Sequence, residues 1–315
     1  MLYSSGKYTY ELVDGWAKCP EGFSFFDVPG IFVDSQDRVY VLNRGAHPVQ
    51  VFDRDGNLLT SWGEEFFKTT HGICVGPDGS IYCTDCGTHT VSKFTPEGKL
   101  LMVLGNKNQP SETGFMPQPD PDEAVATIRR SGPPFNSPTD VALSSSGEIY
   151  VSDGYGNARV HKFSPDGTLL LSWGEPGDAP GQFRWPHSVW VDKQERVWVA
   201  DRMNDRIQIF NANGEFLSQW TDLSYPTDIF IDDEETVYVS EIGRQVKIFT
   251  IDGKQLVRWG MSRLITSQGK ETALFLAPHA IAADSRGDLY VGEVSMSEFG
   301  VDRGPRTVQK FARRT

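Results

Sequence analysis

The chain has little basic charge, little cysteine and no long apolar run, and each shortage removes a class of function. Lysine and arginine number 30 against 42 aspartates and glutamates, a formal charge of -12. Such a surface repels phosphates, which argues against nucleic acid. The most basic short stretches, Ile128-Arg129-Arg130 and Ala312-Arg313-Arg314, are too small for a footprint. The four cysteines, Cys19, Cys74, Cys83 and Cys86, are too few and too clustered for a disulfide framework. No run approaches membrane-spanning length, and residues 1–18 show no charged-then-apolar leader. A cytoplasmic protein is the default expectation, although a secreted form trimmed of its leader would read the same way. Convincing helical periodicity is missing as well, a turn in one long insert being the single candidate.

What the chain does have is a repeat of about 40 residues, a length that suggests propeller blades. Each copy reads apolar strand, acidic-Gly turn, strand ending in an acid, polar loop, strand, Asp-Gly-type turn, and strand ending in Trp-Gly. The first copy runs through Gly30-Ile31-Phe32-Val33, Val39-Tyr40-Val41, Val49-Gln50-Val51-Phe52, Asp55-Gly56 and Trp62-Gly63. The pairs Glu97-Gly98, Asp166-Gly167, Asn213-Gly214 and Asp252-Gly253 repeat the hairpin signal between alternating runs. The expected fold is therefore all-β, a six-bladed β-propeller forming a single domain over residues 1–315. The last copy lacks a fourth strand after Phe311, while Lys7 to Val13 alternates like a strand. The N-terminal strand is expected to complete the last blade and close the ring, which removes an exposed sheet edge. Residues 106–133 form an insert rich in Pro, Gly, Gln and Asp between blades two and three, read either as a lid or as a mobile surface loop. A shorter insert, Met261 to Phe275, precedes the last blade.

Three of the six histidines fall on one slot of the repeat, in alternate copies: Thr70-His71-Gly72, Pro186-His187-Ser188 and Pro278-His279-Ala280. The copies between carry Pro29-Gly30, Pro138-Thr139 and Pro226-Thr227. In a closed ring these imidazoles sit about a third of a turn apart and converge on the axis. Three neutral imidazoles with a position left open suit a catalytic divalent metal. Zinc is the first choice, because no thiolate or extra carboxylate joins the set. The bland alternative is that a polar residue here merely caps the strand, as Thr139 and Thr227 would.

A second slot, after the second strand, reads Asn43-Arg44, Asp85-Cys86, Asp153-Gly154, Asp201-Arg202, Glu241-Ile242 and Glu293-Val294. Its recurring acid is expected to bond the backbone of the following turn. Arg44 and Arg202 are candidates to hold a carboxylate or phosphate, against the alternative of ordinary salt bridges. Tyr155, flanked by Gly154 and Gly156, is presented on a loop and is a candidate base. Cys83-Thr84-Asp85-Cys86 is a lone C-x-x-C on a strand, weak evidence for either zinc or redox chemistry. Cys86 stands in the variable slot. His47, His89 and His161 lie elsewhere in the repeat and are read as structural or exposed.

The repeats resemble NHL repeats. The stretch Pro138-Thr139-Asp140-Val141 through Ser152-Asp153-Gly154-Tyr155-Gly156-Asn157, Ser172-Trp173-Gly174-Glu175, Pro186-His187-Ser188 and Ala200-Asp201-Arg202 resembles the peptidyl-α-hydroxyglycine α-amidating lyases. The resemblance is strongest over residues 135–210. It implies that His71, His187 and His279 bind one zinc in the central channel, that Arg44 and Arg202 are the cavity arginines and that Tyr155 is the base. It also implies a calcium site on the carbonyls of Ile31 and Ile73 and an aspartate, but Ala280 holds the aspartate position, which counts against calcium here. Ala277 replaces a methionine of the family, and Gly156 a disulfide cysteine.

The implied activity is a zinc-dependent lyase that cleaves the C–N bond of an N-substituted α-hydroxyglycine to an amide and glyoxylate. The substrate would be a small molecule or peptide bearing a carboxylate, with no nucleic-acid or membrane partner and a monomeric enzyme. Two rivals stand beside it. One is a metal-dependent hydrolase of a lactone or amide, which the same three histidines would serve. The other is a non-catalytic NHL interaction module, which neither the histidine pattern nor the acidic charge suits.

Overall fold

The computed structural model describes residues 2–260, 263–265 and 271–314. The fold is all-β, a six-bladed β-propeller whose blades are antiparallel sheets of four strands, the last with a fifth. The chain divides into two compact units, residues 62–226 and the pair of segments 1–61 and 227–315.

In the unit 62–226 the blades are three consecutive meanders. The middle one runs Pro138–Leu143, Ile149–Asp153, Arg159–Phe163 and Leu169–Trp173. The second strands are buried along their whole length, as in Ile149–Asp153 and Val197–Asp201. Such positions favour the β-branched and aromatic residues found there. The fourth strands are largely exposed, and each pairs with its neighbour through a bulge, for example between Lys162 and Phe163. A bulged, twisted outer strand resists edge-to-edge pairing.

Packing between blades explains why the repeat ends in Trp and turns on Gly. The Trp62 ring lies 5.0 Å from Phe94 of the next blade, and Trp173 lies 5.8 Å from Phe210. The turn glycines sit under the same indoles: a Cβ on Gly98 would stand 2.6 Å from Trp62, and one on Gly214 2.7 Å from Trp173. Both glycines also have positive φ, so two independent constraints fix the residue.

The unit formed by 1–61 and 227–315 contains the closing blade. Its strands run in the order Pro278–Ala283, Leu289–Glu293, Val308–Arg314, Tyr8–Val13 and Leu2–Ser5. Tyr8–Val13 pairs antiparallel with Val308–Arg314, so the N-terminal strand completes the last blade as expected, and Leu2–Ser5 adds an outer strand.

Residues 106–133 hold a short helix, Pro121–Ala126, with proline in its first turn. The Asp120 side chain caps it by accepting from the Asp122 and Glu123 backbone N–H groups. Ala124, Val125 and Ile128 are buried in one cluster with Ala158, Phe183 and Trp185, so the insert is packed onto its unit. A second short helix spans Ser295–Phe299. The shorter insert contains a two-stranded hairpin, Arg263–Ile265 with Glu271–Ala273, and the rest of Met261 to Lys270 lies outside the described residues. Among the described residues no helix is long and apolar enough to cross a membrane.

Candidate metal centre

In the unit 62–226, His71 and His187 stand at the second position of the strands Thr70–Val75 and Pro186–Val191, both buried. Their rings lie 4.7 Å apart, and they offer ligand nitrogens within 4.8 Å of one another. The His71 Nδ1 lies 2.6 Å from the Thr139 carbonyl oxygen, which can only accept. That contact assigns the proton to Nδ1 and leaves Nε2 as a lone-pair donor. The tautomer is the one a metal-bound imidazole needs, with its far nitrogen tied to a carbonyl. The Tyr155 phenol oxygen stands 2.9 Å from His71 Nε2 and 3.0 Å from His187 Nε2. One phenol proton faces two ring nitrogens, a donor set that a cation could draw on together.

In the other unit, His279 is the second residue of the strand Pro278–Ala283 and is buried. Its Nδ1 lies 2.9 Å from the Pro29 carbonyl oxygen, so the same tautomer follows and Nε2 is again the lone-pair nitrogen.

The recurring acids hold these strand starts in place. The sequence predicts bonds to the turn that follows, but their main partners are N–H groups about 17 residues upstream. Asp85 accepts from Lys68 and Thr69, Asp201 from Arg184, and Glu293 from Leu276 and Ala277, each just ahead of a histidine. Asp153 does the same for Asn136. Asp85 also serves the following turn through Gly87 and Thr88, as does Asn43 through Gly45. Only pairing in the folded blade brings a fixed carboxylate to a backbone that distant in sequence. Burial raises the Asp201 carboxyl to about 6, although Asn204 and Arg206 favour the charged form. Burial likewise pushes the Glu293 carboxyl up.

Threonines replace histidine in two of the three slots between, and Gly30 stands in the third. The Thr139 hydroxyl lies 2.8 Å from the Pro186 carbonyl and 2.9 Å from the Ser152 hydroxyl. The Thr227 hydroxyl repeats this with the Pro278 carbonyl at 3.1 Å and Ser240 at 2.9 Å. Each thus grips the residue before the next histidine, which goes beyond capping its own strand.

The remaining candidates divide between the units. Arg202 is buried and opens the 3-10 turn Arg202–Asn204 in the unit of His71 and His187, its backbone N–H donating to the Trp185 carbonyl. Arg44 lies in the unit of His279, its Nη1 3.2 Å from the Ser297 hydroxyl and 3.4 Å from Asp27. Asp27 is fully buried and also accepts from the Met296 and Ser297 N–H groups, a cradle with no repeat signal to announce it. Cys86 is buried with its thiol 3.1 Å from the Pro138 carbonyl, and burial pushes the Cys83 thiol far up, against a reactive thiolate. His161 is buried against Ser172, and His47 stacks on Phe23. Trp185, whose ring meets Tyr155 edge-on at 5.2 Å, escaped the sequence reading because it fills no recurring slot.

The family model for the NHL repeat matches residues 71–94, 135–163 and 183–210. NHL repeat-containing protein 3 of Homo sapiens is 32% identical over 97% of this chain and 84% of its own length. Peptidyl-alpha-hydroxyglycine alpha-amidating lyase 1 of Drosophila melanogaster is 28% identical over 82% of this chain and 47% of its own length. The chain spans less than half of the amidating enzymes it matches, and only 19% of the peptidyl-glycine alpha-amidating monooxygenase B of Xenopus laevis. Among solved structures, a streptogramin B lyase superposes with a TM-score of 0.61 at 15% identity, covering 98% of this chain and 100% of that one, which shows a shared fold.

Proposed function

Because the chain belongs to the NHL-repeat family of NHL repeat-containing protein 3, and because it is also similar to an amidating lyase, 28% identical over 82% of this chain, we propose that it is a metal-dependent carbon–nitrogen lyase. The substrate is an N-substituted α-hydroxyglycine, a small molecule or peptide bearing a carboxylate. The products are an amide and glyoxylate. The observation that carries the reading is the phenol of Tyr155 held at hydrogen-bond distance from the lone-pair Nε2 of His71 and from the Nε2 of His187.

His71, His187 and His279 would hold the metal. They occupy one repeat slot in alternate blades, and His71 and His279 each commit Nδ1 to a carbonyl, leaving Nε2 to coordinate. Three imidazoles and no thiolate suit zinc. When bound, the metal supplies a Lewis acid that makes a nearby hydroxyl more acidic.

Tyr155, acting as phenolate, takes the proton from the substrate's hydroxyl oxygen. That oxygen's electron pair becomes the carbonyl of glyoxylate, the C–N bond breaks, and its pair goes to nitrogen. The nitrogen takes that proton from Tyr155 and leaves as the amide, which restores the phenolate. Arg44 holds the substrate carboxylate, its guanidinium steadied by Asp27 and Ser297, with Arg202 in support.

The test combines elemental analysis with two assays. About one tightly held transition metal per chain is expected, with glyoxylate released from an N-acyl-α-hydroxyglycine and no turnover of a lactone panel. Lactone hydrolysis without glyoxylate release would replace the lyase by a hydrolase. Metal-free protein that stays inert when zinc is supplied would remove the enzymatic reading.

A further inference from the structure

The loop that presents Tyr155 is gripped from both sides. Toward the following strand it abuts Pro186, the residue before His187: a Cβ on Gly154 would stand 2.1 Å from the Pro186 carbonyl oxygen. On the other side it meets residues 106–133 and the segment just after them. A Cβ on Gly156 would stand 2.2 Å from Asn136 Oδ1. The Gly156 carbonyl accepts from the Thr113 hydroxyl at 2.6 Å, and its N–H donates to the Asn136 carbonyl at 2.9 Å. Asn136 Nδ2 in turn donates to the Ser111 carbonyl and to the Thr113 hydroxyl. One residue further, Asn157 and Gly132 exchange a reciprocal pair of hydrogen bonds at 3.2 and 3.0 Å. Both glycines flanking Tyr155 are thus required by close approach, of the Pro186 backbone at Gly154 and of Asn136 at Gly156.

The insert is anchored well enough to serve as a brace. Val125 and Ile128 are buried with Ala158 and Trp185, and Asp122 pairs with Arg184 at 3.2 Å, two residues before Pro186. The Thr113 side chain is itself buried, so its short contact to Gly156 is shielded from water.

We propose that the insert, together with Asn136 just after it, is a positioning element for Tyr155, with Thr113 of the insert and the Asn136 it holds as the contact residues, keeping the phenol oxygen against His71 and His187. This rests on the proposed role of Tyr155, and it assigns 106–133 a task other than covering the site. The insert acts on the tyrosine through the Gly156 peptide and touches no substrate. Misplacing a reacting group by about an ångström costs up to roughly a hundredfold in rate, so the brace has a measurable consequence.

The experiment compares Thr113→Val, which keeps the shape and removes the hydroxyl, with Thr113→Ser, which restores it. In Thr113→Val, kcat falls roughly tenfold to a hundredfold, while KM and metal content stay within about twofold of the parent; Thr113→Ser recovers most of the loss. A second readout needs no turnover. In protein carrying [13Cζ]tyrosine, the Tyr155 resonance, assigned by its disappearance in Tyr155→Phe, shifts or broadens in Thr113→Val and returns in Thr113→Ser. Asn136→Ala gives the same resonance change by a separate contact, and serves if Thr113→Val does not fold. An unmoved resonance together with unchanged kcat overturns the brace. Near-normal turnover in Tyr155→Phe would instead remove Tyr155 as the base, and the resonance would still decide whether the insert positions it.

Discussion

Strands with histidine at their second position and strands with threonine there share one backbone plan and put it to different uses. At His71 the ring spends Nδ1 on the Thr139 carbonyl and sends Nε2 outward to the Tyr155 phenol. At Thr139 the short side chain turns back into the sheet, gripping Ser152 and the carbonyl that precedes His187. One threonine therefore serves two histidines, receiving the first through its carbonyl and fixing the second through its hydroxyl. Thr227 repeats the second task ahead of His279. The next position follows the same division. Asp140 accepts from the Ser188 hydroxyl and the Val189 N–H, and Asp228 from the Ile281 N–H, so the threonine strands keep their carboxylates for tying neighbouring strand starts together. The histidine strands carry Gly72, Ser188 and Ala280 there. Chemistry and scaffold alternate around the repeat, and neither kind of blade is complete without the other.

The comparison breaks most severely if a histidine strand is emptied. His187→Ala should lose bound metal and turnover together while the protein still folds, because the ring supplies a ligand and the backbone plan survives. Elemental analysis beside circular dichroism checks this, and full metal retention would sink the assignment. Tyr155→Phe comes next, with an expected loss on the order of 10²–10⁴ in kcat and unchanged metal content.

The threonine strands should respond differently, in stability first. Thr139→Val strands the Pro186 carbonyl in a buried site and should cost about 1–3 kcal/mol in denaturant unfolding. Loosening a partner of a ligand typically weakens metal by roughly tenfold to a hundredfold, which chelator competition would read. A Thr139→Val protein with parental stability and parental metal affinity would erase the distinction drawn between the two kinds of strand.

Smaller effects sharpen the scaffold side. Asp201 holds the strand start of His187 and is raised to about 6 from an ordinary value of 3.8 by burial. Between those values the folded state binds more protons than the unfolded one. Its contribution to stability is therefore present below the unfolded value and lost as pH rises through about 6. Thermal melts across that window should show the decline in the parent and a flatter profile in Asp201→Asn. The smallest effect concerns calcium. With Ala280 in place of a carboxylate, and with Asp140 and Asp228 committed to neighbouring backbone, micromolar calcium should not raise the melting temperature of EDTA-treated protein.

How far the sequence could be read depended on whether a residue's role repeats. His71, His187 and His279 were visible because they share a slot, and Tyr155 because two glycines flank it. The closing strand Tyr8–Val13 was visible because its alternation supplies the strand that the last copy lacks. Trp185, Asp27 and Thr113 were not, since each works once, through a neighbour far along the chain. The acids after the second strands were legible as backbone anchors, and Asp85 does serve the following turn, but their upstream partners were not, because a carboxylate can reach either side of a strand and sequence distance favours the nearer turn. Residues 106–133 read as a lid or a loose loop for a related reason. Their anchors, Val125, Ile128 and Thr113, make no periodic pattern, and the partners they bury against belong to another blade.

Alternating apolar runs, Asx-Gly turns and terminal Trp-Gly pairs by themselves determined the blades, their number and the slot that carries the histidines, because strand periodicity and turn stereochemistry are local properties of the chain. The tertiary structure alone decided which nitrogen of His71 and His279 faces a carbonyl, which hydroxyl fixes the residue before each later histidine, and that the Tyr155 phenol meets two imidazoles. Those outcomes hang on hydrogen bonds between blades, whose partners lie dozens to hundreds of residues apart and share no local pattern.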